Sequence, residues 1–136
     1  MYRWAYQVVS YAAAPLYGLG LGWAVRRHIA PGRYLRLRLQ GPPAELRDRP
    51  PGQPLLWLHA VSVGEVLTAV PLLQAWSERH PDWATLLTTV TPTGHAGARR
   101  HWGGVVAYLP MDLAPVVCRW LDRLRPTLIG LSIIHI

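Results

Sequence analysis

The chain has 136 residues, of which 51% are hydrophobic and 15% charged, and its formal net charge at pH 7 is +7. This length suffices for one domain with its own core, and the apolar content excludes an intrinsically disordered chain. The single cysteine, Cys118, excludes an internal disulfide, and no histidine or second cysteine stands near it in sequence to activate the thiol.

The first segment of the chain, residues 4–25, carries no charge, and arginines follow it directly at positions 26, 27, 33, 36 and 38. As a helix, about 22 residues rising about 1.5 Å each would cover a hydrocarbon core about 30 Å thick. Pro15 and three glycines weaken such a helix, so shallow insertion at the interface is the alternative to a span. We predict a membrane anchor over residues 1–28, with the rest of the chain in the cytoplasm and its arginines attracted to anionic lipids.

Residues 41–54 are rich in proline, which favours an irregular segment over a helix. We therefore predict a basic, Pro-rich linker over residues 29–54. The sequence pI of about 10.5 raises the question of a nucleic-acid partner. The charge is concentrated beside the apolar segment without a nucleic-acid-binding motif, so no nucleic-acid partner is predicted.

From residue 55 onward, short apolar runs alternate with stretches of helical periodicity. The predicted strands are 55–60, 85–90, 105–109 and 127–131, and the predicted helices are 65–79, 95–102 and 114–124. This alternation predicts a parallel sheet with helices on both faces, hence a Rossmann-like α/β half over residues 55–136. Pro71 falls within the first of these helices and is expected to kink it or shift its start.

Three loops follow the first three strands, at residues 61–64, 91–94 and 110–112. The carboxyl ends of parallel strands meet at one edge of a sheet, so these loops predict a binding site there. The hydroxyls and free N–H groups of Thr91–Gly94 suit a phosphate or a sugar hydroxyl. Alternatively, Thr93 caps the second helix, and Asp112 is expected to cap the helix that starts at Ala114.

Glu65 follows the uncharged strand 55–60 and stands at the start of a helix. Ser62 and Glu65 have the spacing of a capping box, in which the serine accepts from the first turn and the glutamate reaches back. The alternative is an active-site carboxylate, since a helix N terminus stabilises a negative charge by about 0.3 to 1 kcal/mol. His59 is predicted to be a hydrogen-bonded residue at a buried strand end.

Several segments of this chain together resemble the amino-terminal half of the Kdo (3-deoxy-D-manno-octulosonic acid) transferases. They match the family in order and spacing and cover about the first third of such an enzyme. The segments are His-Ala-Val-Ser-Val-Gly-Glu (59–65), Ala-Val-Pro-Leu-Leu (69–73), Thr-Thr-Val-Thr-Pro-Thr-Gly (88–94), Tyr-Leu-Pro-Met-Asp (108–112) and Arg125-Pro126.

The resemblance implies a membrane-associated glycosyltransferase with two Rossmann domains (GT-B type) at the cytoplasmic side of the inner membrane. Such an enzyme moves Kdo from CMP-Kdo to a lipid A precursor (lipid IVA) in lipopolysaccharide biosynthesis. It implies Glu65 as general base on the acceptor hydroxyl, with no metal or cofactor beyond the donor substrate CMP-Kdo. The implied acceptor-binding residues are Ser62, Gly64, Thr91, Thr93 and Gly94.

The resemblance ends after Gly130, where similar enzymes continue into a loop with a second glutamate and then a donor domain. Here the sequence reads Leu-Ser-Ile-Ile-His-Ile instead. We therefore expect a fragment that is inactive alone, with lipid A precursor and membrane lipids as partners and CMP-Kdo bound by the missing domain. The alternatives are another lipid-linked GT-B glycosyltransferase and a non-catalytic, membrane-tethered module that binds the acceptor.

Overall fold

The computed structural model describes residues 26–132 without a break, together with seven positions from Val8 to Trp23. The membrane anchor predicted for residues 1–28 therefore falls mainly outside the described residues. Within the described part of the chain, no helix combines the length and the apolar character needed to cross a membrane.

The described elements are helices and parallel strands in alternation. They are α1 (Pro31–Leu39), α2 (Ala44–Arg47), β1 (Leu55–Ala60), α3 (Val63–Arg79), β2 (Ala84–Thr89), α4 (Pro92–His101), β3 (Val105–Tyr108), α5 (Ala114–Leu124) and β4 (Leu128–Ser132). Every predicted strand lies within one residue of its observed bounds. The periodicity of the sequence was therefore a sufficient guide to the strands.

The four strands form one parallel sheet in the order β3-β2-β1-β4. Leu58 in the centre of β1 pairs with Leu87 of β2 on one side and with Gly130 of β4 on the other. All six residues of β1 are buried. An uncharged strand in the middle of a parallel sheet is expected to be covered on both faces, so the predicted α/β architecture with a parallel sheet is confirmed.

Helices α3 and α4 pack against each other and against the sheet. The core cluster joins alternate residues of β1 to the apolar stripe of α3, and it consists of Leu56, Leu58, Ala60, Val66, Ala69, Val70, Leu73, Leu87 and Ala98. Trp76, Trp83 and Trp102 pack against its margin. These tryptophans therefore contribute to packing.

Helix α3 continues without interruption through Pro71, and it starts at Val63 rather than at residue 65. The helix start is therefore not displaced to the proline, and this alternative of the prediction was wrong. Proline lacks the N–H that would bond to the carbonyl of Leu67, but Pro71 and Leu67 both lie on the exposed side of the helix. Water can satisfy that carbonyl, which makes the proline tolerable at this position.

The described residues divide into two compact units. One contains the residues up to Gly41 together with Pro110–Asp122, and the other contains Pro42–Leu109 together with the residues from Arg123. The sheet, α3 and α4 belong to the second unit.

The segment 29–54, predicted as a linker, holds two helices, and α2 lies within residues 41–54, for which the proline content had favoured an irregular segment. In the first unit, Tyr34 and Arg38 lie one turn apart on the buried side of α1, and the Arg38 guanidinium donates to the Tyr34 hydroxyl at 3.3 Å. The backbone N–H of Met111 donates to the Arg38 carbonyl at 2.8 Å, and Trp120 Nε1 donates to the Gln40 carbonyl at 2.9 Å. These contacts hold α1 and the residue that follows it.

In the second unit, the prolines of this segment flank α2 instead of interrupting it. Pro43 is the N-cap residue of α2, and Pro50 lies beyond its end. Proline is compatible with a helix start because the first N–H groups have no helical partner. Leu46 is only 4% exposed, so the burial of its side chain also stabilises this short helix.

Candidate functional site

The loop between β1 and α3 contains a cap that uses both Ser62 and Glu65. Ser62 has extended backbone angles (φ −117°, ψ 172°), and its hydroxyl oxygen accepts from the backbone N–H of Glu65 at 3.4 Å. The Glu65 carboxylate reaches back and its Oε2 accepts from the backbone N–H of Val61 at 2.6 Å. This is a capping box in which the glutamate bonds one residue further back than usual, so the capping interpretation is confirmed.

Glu65 nevertheless differs from the other acidic residues of the chain. All seven acidic residues fall within the described part, and the other six are exposed while Glu65 is partly buried. Its Oε2 bonds to Val61, and no hydrogen bond to its Oε1 is found among the described residues. A carboxylate held by one oxygen, with the other open, is a suitable arrangement for accepting a proton.

Gly64 lies in the first turn of α3 and is exposed. Its carbonyl accepts from the Thr68 hydroxyl at 3.0 Å. Helix α3 starts at Val63, one residue before this glycine, so the glycine forms no separate turn between strand and helix.

Helix α4, which follows the second loop, is capped by Thr91, and the alternative prediction that Thr93 caps this helix was wrong. Helix α4 begins at Pro92, and the Thr91 hydroxyl accepts from the backbone N–H of Gly94 at 3.0 Å. Proline is favoured at the first helical position because its missing N–H would have no partner there, which places the cap on the preceding residue. Thr93 is exposed, and its hydroxyl lies 3.5 Å from that of Thr91.

The two loops are in direct contact. The Thr91 hydroxyl donates to the Val61 carbonyl at 3.3 Å, and the Thr91 backbone N–H donates to the same oxygen at 3.4 Å. Gly94 is buried against the first loop, since a β-carbon on it would stand 2.7 Å from Thr91 Oγ1 and 3.4 Å from the Ser62 carbonyl carbon. The structure thus brings together the loops that carry Glu65 and all five predicted acceptor-binding residues.

The third predicted loop, Pro110 to Asp112, belongs to the other compact unit. Asp112 is exposed, and α5 begins at Ala114 with the Leu113 carbonyl accepting from the Val117 N–H at 3.0 Å. Leu113, one residue after Asp112, therefore occupies the N-cap position of α5. Cys118 is exposed on the same helix.

His59 is buried near the end of β1, as predicted. Its Nδ1 lies 3.0 Å from the Thr88 carbonyl oxygen and 3.1 Å from the Thr88 hydroxyl, which also accepts from Trp57 Nε1 at 2.8 Å. A carbonyl oxygen can only accept, so Nδ1 donates in this contact. This network joins the ends of β1 and β2 on the face opposite α3, because Trp57 and His59 alternate with the core residues of β1.

His95 was not singled out by the sequence. It follows Gly94 in the first turn of α4, and its ring stacks on Tyr108 with centroids 4.2 Å apart. Burial lowers the pKa of His95 from its usual value, and the charge of Arg99 lowers it further. The sequence signal for this effect was Arg99, which lies four residues after His95 and therefore on the same side of the helix.

Two buried polar atoms near the end of β2 have no hydrogen-bond partner among the described residues: His95 Nδ1 and Thr89 Oγ1. Thr89 pairs with Tyr108 in the sheet. Among all the residues that the structure describes, no three His, Cys, Asp or Glu side chains come together as a metal site. Arg99, Arg100 and His101 form an exposed basic end of α4.

Comparison with known proteins identifies relatives for most of the chain. The family model described as 3-deoxy-D-manno-octulosonic-acid transferase (kdotransferase) matches residues 33–133. The 3-deoxy-D-manno-octulosonic acid transferase of Bordetella pertussis is 34% identical over 139 aligned positions, which cover 93% of this chain and 30% of the relative. The transferases of Chlamydia trachomatis serovar D and Haemophilus influenzae are 38% and 37% identical over 58% of this chain and 19% of each relative.

The chain thus spans between about a fifth and a third of the length of these curated relatives. No solved structure matches it significantly. Because the family match extends over the parallel sheet and both loops of the candidate site, the chain belongs to the 3-deoxy-D-manno-octulosonic acid transferase family of glycosyltransferases.

Proposed function

We propose that this chain supplies the acceptor-activating part of a transferase that moves Kdo from CMP-Kdo to a lipid A precursor. Glu65 is the general base of that reaction. The observation that carries the proposal is the state of its carboxylate: Oε2 is fixed by the Val61 N–H at 2.6 Å, while Oε1 has no partner among the described residues. The family supports the reaction type.

In the proposed reaction, a hydroxyl oxygen of the acceptor attacks the anomeric carbon of Kdo. The bond between that carbon and the phosphate oxygen of CMP breaks, and CMP leaves with the electron pair. The hydroxyl proton passes to Oε1 of Glu65. The bond from Val61 holds the carboxylate in one orientation, so that the base does not have to be ordered during the reaction.

The acceptor contacts are assigned to the groups at this edge that remain accessible. Thr93 and Gly64 are exposed, and the Ser62 hydroxyl accepts from Glu65 without using its own proton. These groups offer donors and acceptors to the hydroxyls of a sugar. Thr91 and Gly94 lie between the two loops, where their atoms are already used.

The donor CMP-Kdo is proposed to bind to sequence beyond the 136 residues, since the relatives are several times longer than the matched segment. The 136-residue chain alone is then expected to release no CMP from CMP-Kdo. Activity is expected when residues 1–132 replace the matching segment of the Bordetella pertussis transferase.

Glu65→Gln in that chimaera is the direct test of the base. Glutamine retains an oxygen for the Val61 N–H and removes the basic carboxylate. We expect CMP release in the presence of lipid acceptor to fall by about 100-fold or more. Glu78→Gln, an exposed acid on the same helix, is the control and should leave turnover unchanged.

A Glu65→Gln chimaera within twofold of the unsubstituted rate would exclude Glu65 as base. Replacing CMP-Kdo by nucleoside-diphosphate sugars tests the alternative glycosyltransferase class. Turnover with such a sugar, and none with CMP-Kdo, would contradict the proposed donor. Acceptor binding by the chimaera without any CMP release would instead favour the non-catalytic acceptor-binding module.

We also propose that the first unit binds the cytoplasmic surface of the inner membrane. Its arginines at positions 26, 27, 33 and 36 are exposed, and the Arg26 guanidinium lies 4.4 Å from the ring centre of the exposed Trp23. Each arginine near an anionic leaflet contributes about 1 kcal/mol of attraction.

Sedimentation with lipid vesicles tests this proposal. Binding to vesicles that contain phosphatidylglycerol should weaken by about tenfold or more when Arg26 and Arg27 are both replaced by glutamine. Equal binding of both proteins to these vesicles would contradict an electrostatic membrane contact.

A further inference from the structure

Val61 is held from two directions by polar groups. Its N–H donates to Glu65 Oε2 at 2.6 Å, and its carbonyl accepts from both the hydroxyl and the backbone N–H of Thr91. Val61 is 41% exposed, so packing holds it only in part. The hydrogen bonds are the polar contacts that fix its backbone.

The hydroxyl of Thr91 has no capacity left for a ligand. A threonine hydroxyl offers one donor and two acceptor sites. Its proton goes to the Val61 carbonyl, and its oxygen accepts from the Gly94 N–H at 3.0 Å and faces the Thr93 hydroxyl at 3.5 Å. A sugar hydroxyl would have to displace one of these contacts.

Gly94 permits this arrangement because it has no side chain. A β-carbon there would stand 2.7 Å from Thr91 Oγ1 and 3.3 Å from the Val61 carbonyl oxygen. Contacts of that length force the neighbouring atoms apart. The start of α4 can therefore press against the loop of Val61 and Ser62 only with glycine at this position.

We infer that Thr91 is a positioning residue for Glu65: its hydroxyl holds the Val61 backbone and thereby fixes the N–H to which the Glu65 carboxylate is bound. Gly94 allows the approach of the two loops. This assigns Thr91 and Gly94 to positioning the base rather than to binding the acceptor. The inference rests on the proposed role of Glu65 as the base. The hydrogen bonds from Thr91 to Val61 and from Val61 to Glu65 are present whatever the role of Glu65.

The consequence for catalysis follows from geometry. A base that is misplaced by about 1 Å loses about 100-fold in rate, because the proton and the carboxylate oxygen no longer align. Loosening the Val61 backbone allows such a displacement without removing any group that touches the acceptor.

Amide hydrogen exchange of Val61, followed by NMR in the 136-residue chain, tests the inference without requiring activity. Thr91→Val removes both the cap and the donor to Val61. Thr91→Asp keeps an oxygen that caps α4 but, when ionised, has no proton to donate to Val61. We expect both variants to accelerate Val61 exchange by roughly fivefold, and Thr91→Ser to retain the protection of the unsubstituted chain.

Three observations make this result specific. Thr93→Val removes the neighbouring exposed hydroxyl and should leave Val61 exchange unchanged. Glu65→Ala gives the exchange rate of Val61 without its carboxylate partner. In Thr91→Asp the Gly94 amide should remain protected while Val61 exchanges faster, which a role as helix cap alone does not predict. Unchanged Val61 exchange in Thr91→Asp would overturn the inference.

Kinetics in the Bordetella pertussis chimaera separates positioning from acceptor binding. We expect Thr91→Asp to lower kcat by about tenfold with the KM for the lipid acceptor within twofold, and Thr91→Ser to restore kcat. A raised KM with unchanged kcat would show instead that Thr91 binds acceptor. If Glu65→Gln leaves turnover unchanged while Thr91→Asp accelerates Val61 exchange, the proposed base is wrong and the structural link between Thr91 and Glu65 remains.

Discussion

Gly94 lies so close to Val61 that a β-carbon on the glycine would stand 3.3 Å from the Val61 carbonyl oxygen. The two residues are 33 positions apart in sequence, and their contact joins the loop after β1 to the start of α4. The same loop carries the cap formed by Ser62 and Glu65. The stability of this edge of the sheet is therefore expected to depend on a small number of positions.

Gly94→Ala is expected to lower the free energy of unfolding by about 2 kcal/mol, because the new methyl group meets the Thr91 hydroxyl oxygen and backbone atoms of Val61 and Ser62. Gly97→Ala is a control on the same helix. A β-carbon at Gly97 has only Val63 Cγ1 at 4.0 Å. This change should raise the free energy of unfolding by about 0.5 to 1 kcal/mol, because alanine favours a helix. Urea unfolding measures both, and equal effects would contradict the contact at Gly94.

Glu65→Ala is expected to lower the free energy of unfolding by about 1 kcal/mol, since it leaves the Val61 N–H without its carboxylate partner. Glu65→Gln should cost less, because its amide oxygen still accepts from Val61. The order of the two variants in urea unfolding checks the prediction. A glutamine variant less stable than the alanine variant would contradict the capping role.

Arg49→Met is expected to destabilise the protein by about 2 kcal/mol, because the guanidinium donates to three backbone carbonyls, those of Leu46, Gln53 and Leu124. The last of these contacts holds the end of α5 against the segment after α2. Arg47→Met is the matched control, since Arg47 is exposed and its side chain pairs with the neighbouring Asp48 at 3.1 Å. Thermal unfolding of both variants checks this: Arg47→Met should be unchanged within error, and an equal loss in both variants would refute the role of Arg49.

His95 is expected to make stability depend on pH. Its folded-state pKa is lowered by burial and by Arg99 below the usual 6.5, so the unfolded chain binds the proton more tightly. The free energy of unfolding should therefore fall as the pH drops below about 6.5 and level off once the folded-state pKa is passed. His95→Phe keeps a ring against Tyr108 and removes the titration. Urea unfolding of both proteins from about pH 7.5 to about pH 5 checks this, and parallel pH profiles would contradict it.

Arg125→Gly is expected to raise the free energy of unfolding by about 0.5 to 1 kcal/mol. Arg125 has a positive φ of 41°, in the left-handed region that costs a side chain about 1 kcal/mol and glycine almost nothing. Arg123→Gly, inside the last turn of α5, should have the opposite sign and cost about 1 kcal/mol. Thermal unfolding distinguishes the two, and destabilisation by both would contradict the strain at Arg125.

The strands were predictable because each is a short apolar run with clear ends, and β1, which has no charged residue, is buried along its whole length. The capping box was predictable for a similar reason: Ser62 and Glu65 are three residues apart, and a cap involves only its own first turn. The alternative that Thr93 caps α4 was wrong because Pro92 favours the first helical position, which makes Thr91 the cap.

The contacts that hold α1 could not be predicted from the sequence, because they come from distant residues. Tyr34 and Arg38 are buried, the Arg38 carbonyl accepts from Met111, and Gln40 accepts from Trp120. Proline content describes only local preference. Trp120, which contacts the carbonyl of Gln40 after the end of α1, is 80 residues away in sequence.

The sequence by itself determined the strands, most of the helix positions, the family and the candidate base, because these depend on local periodicity and on a motif of adjacent residues. Only the tertiary structure decided that Thr91 holds Val61, that Gly94 must lack a side chain, and that His95 stacks on Tyr108. Each of these joins residues from different strands and helices. Such contacts depend on which strands become neighbours in the sheet, and no spacing along the chain encodes that order.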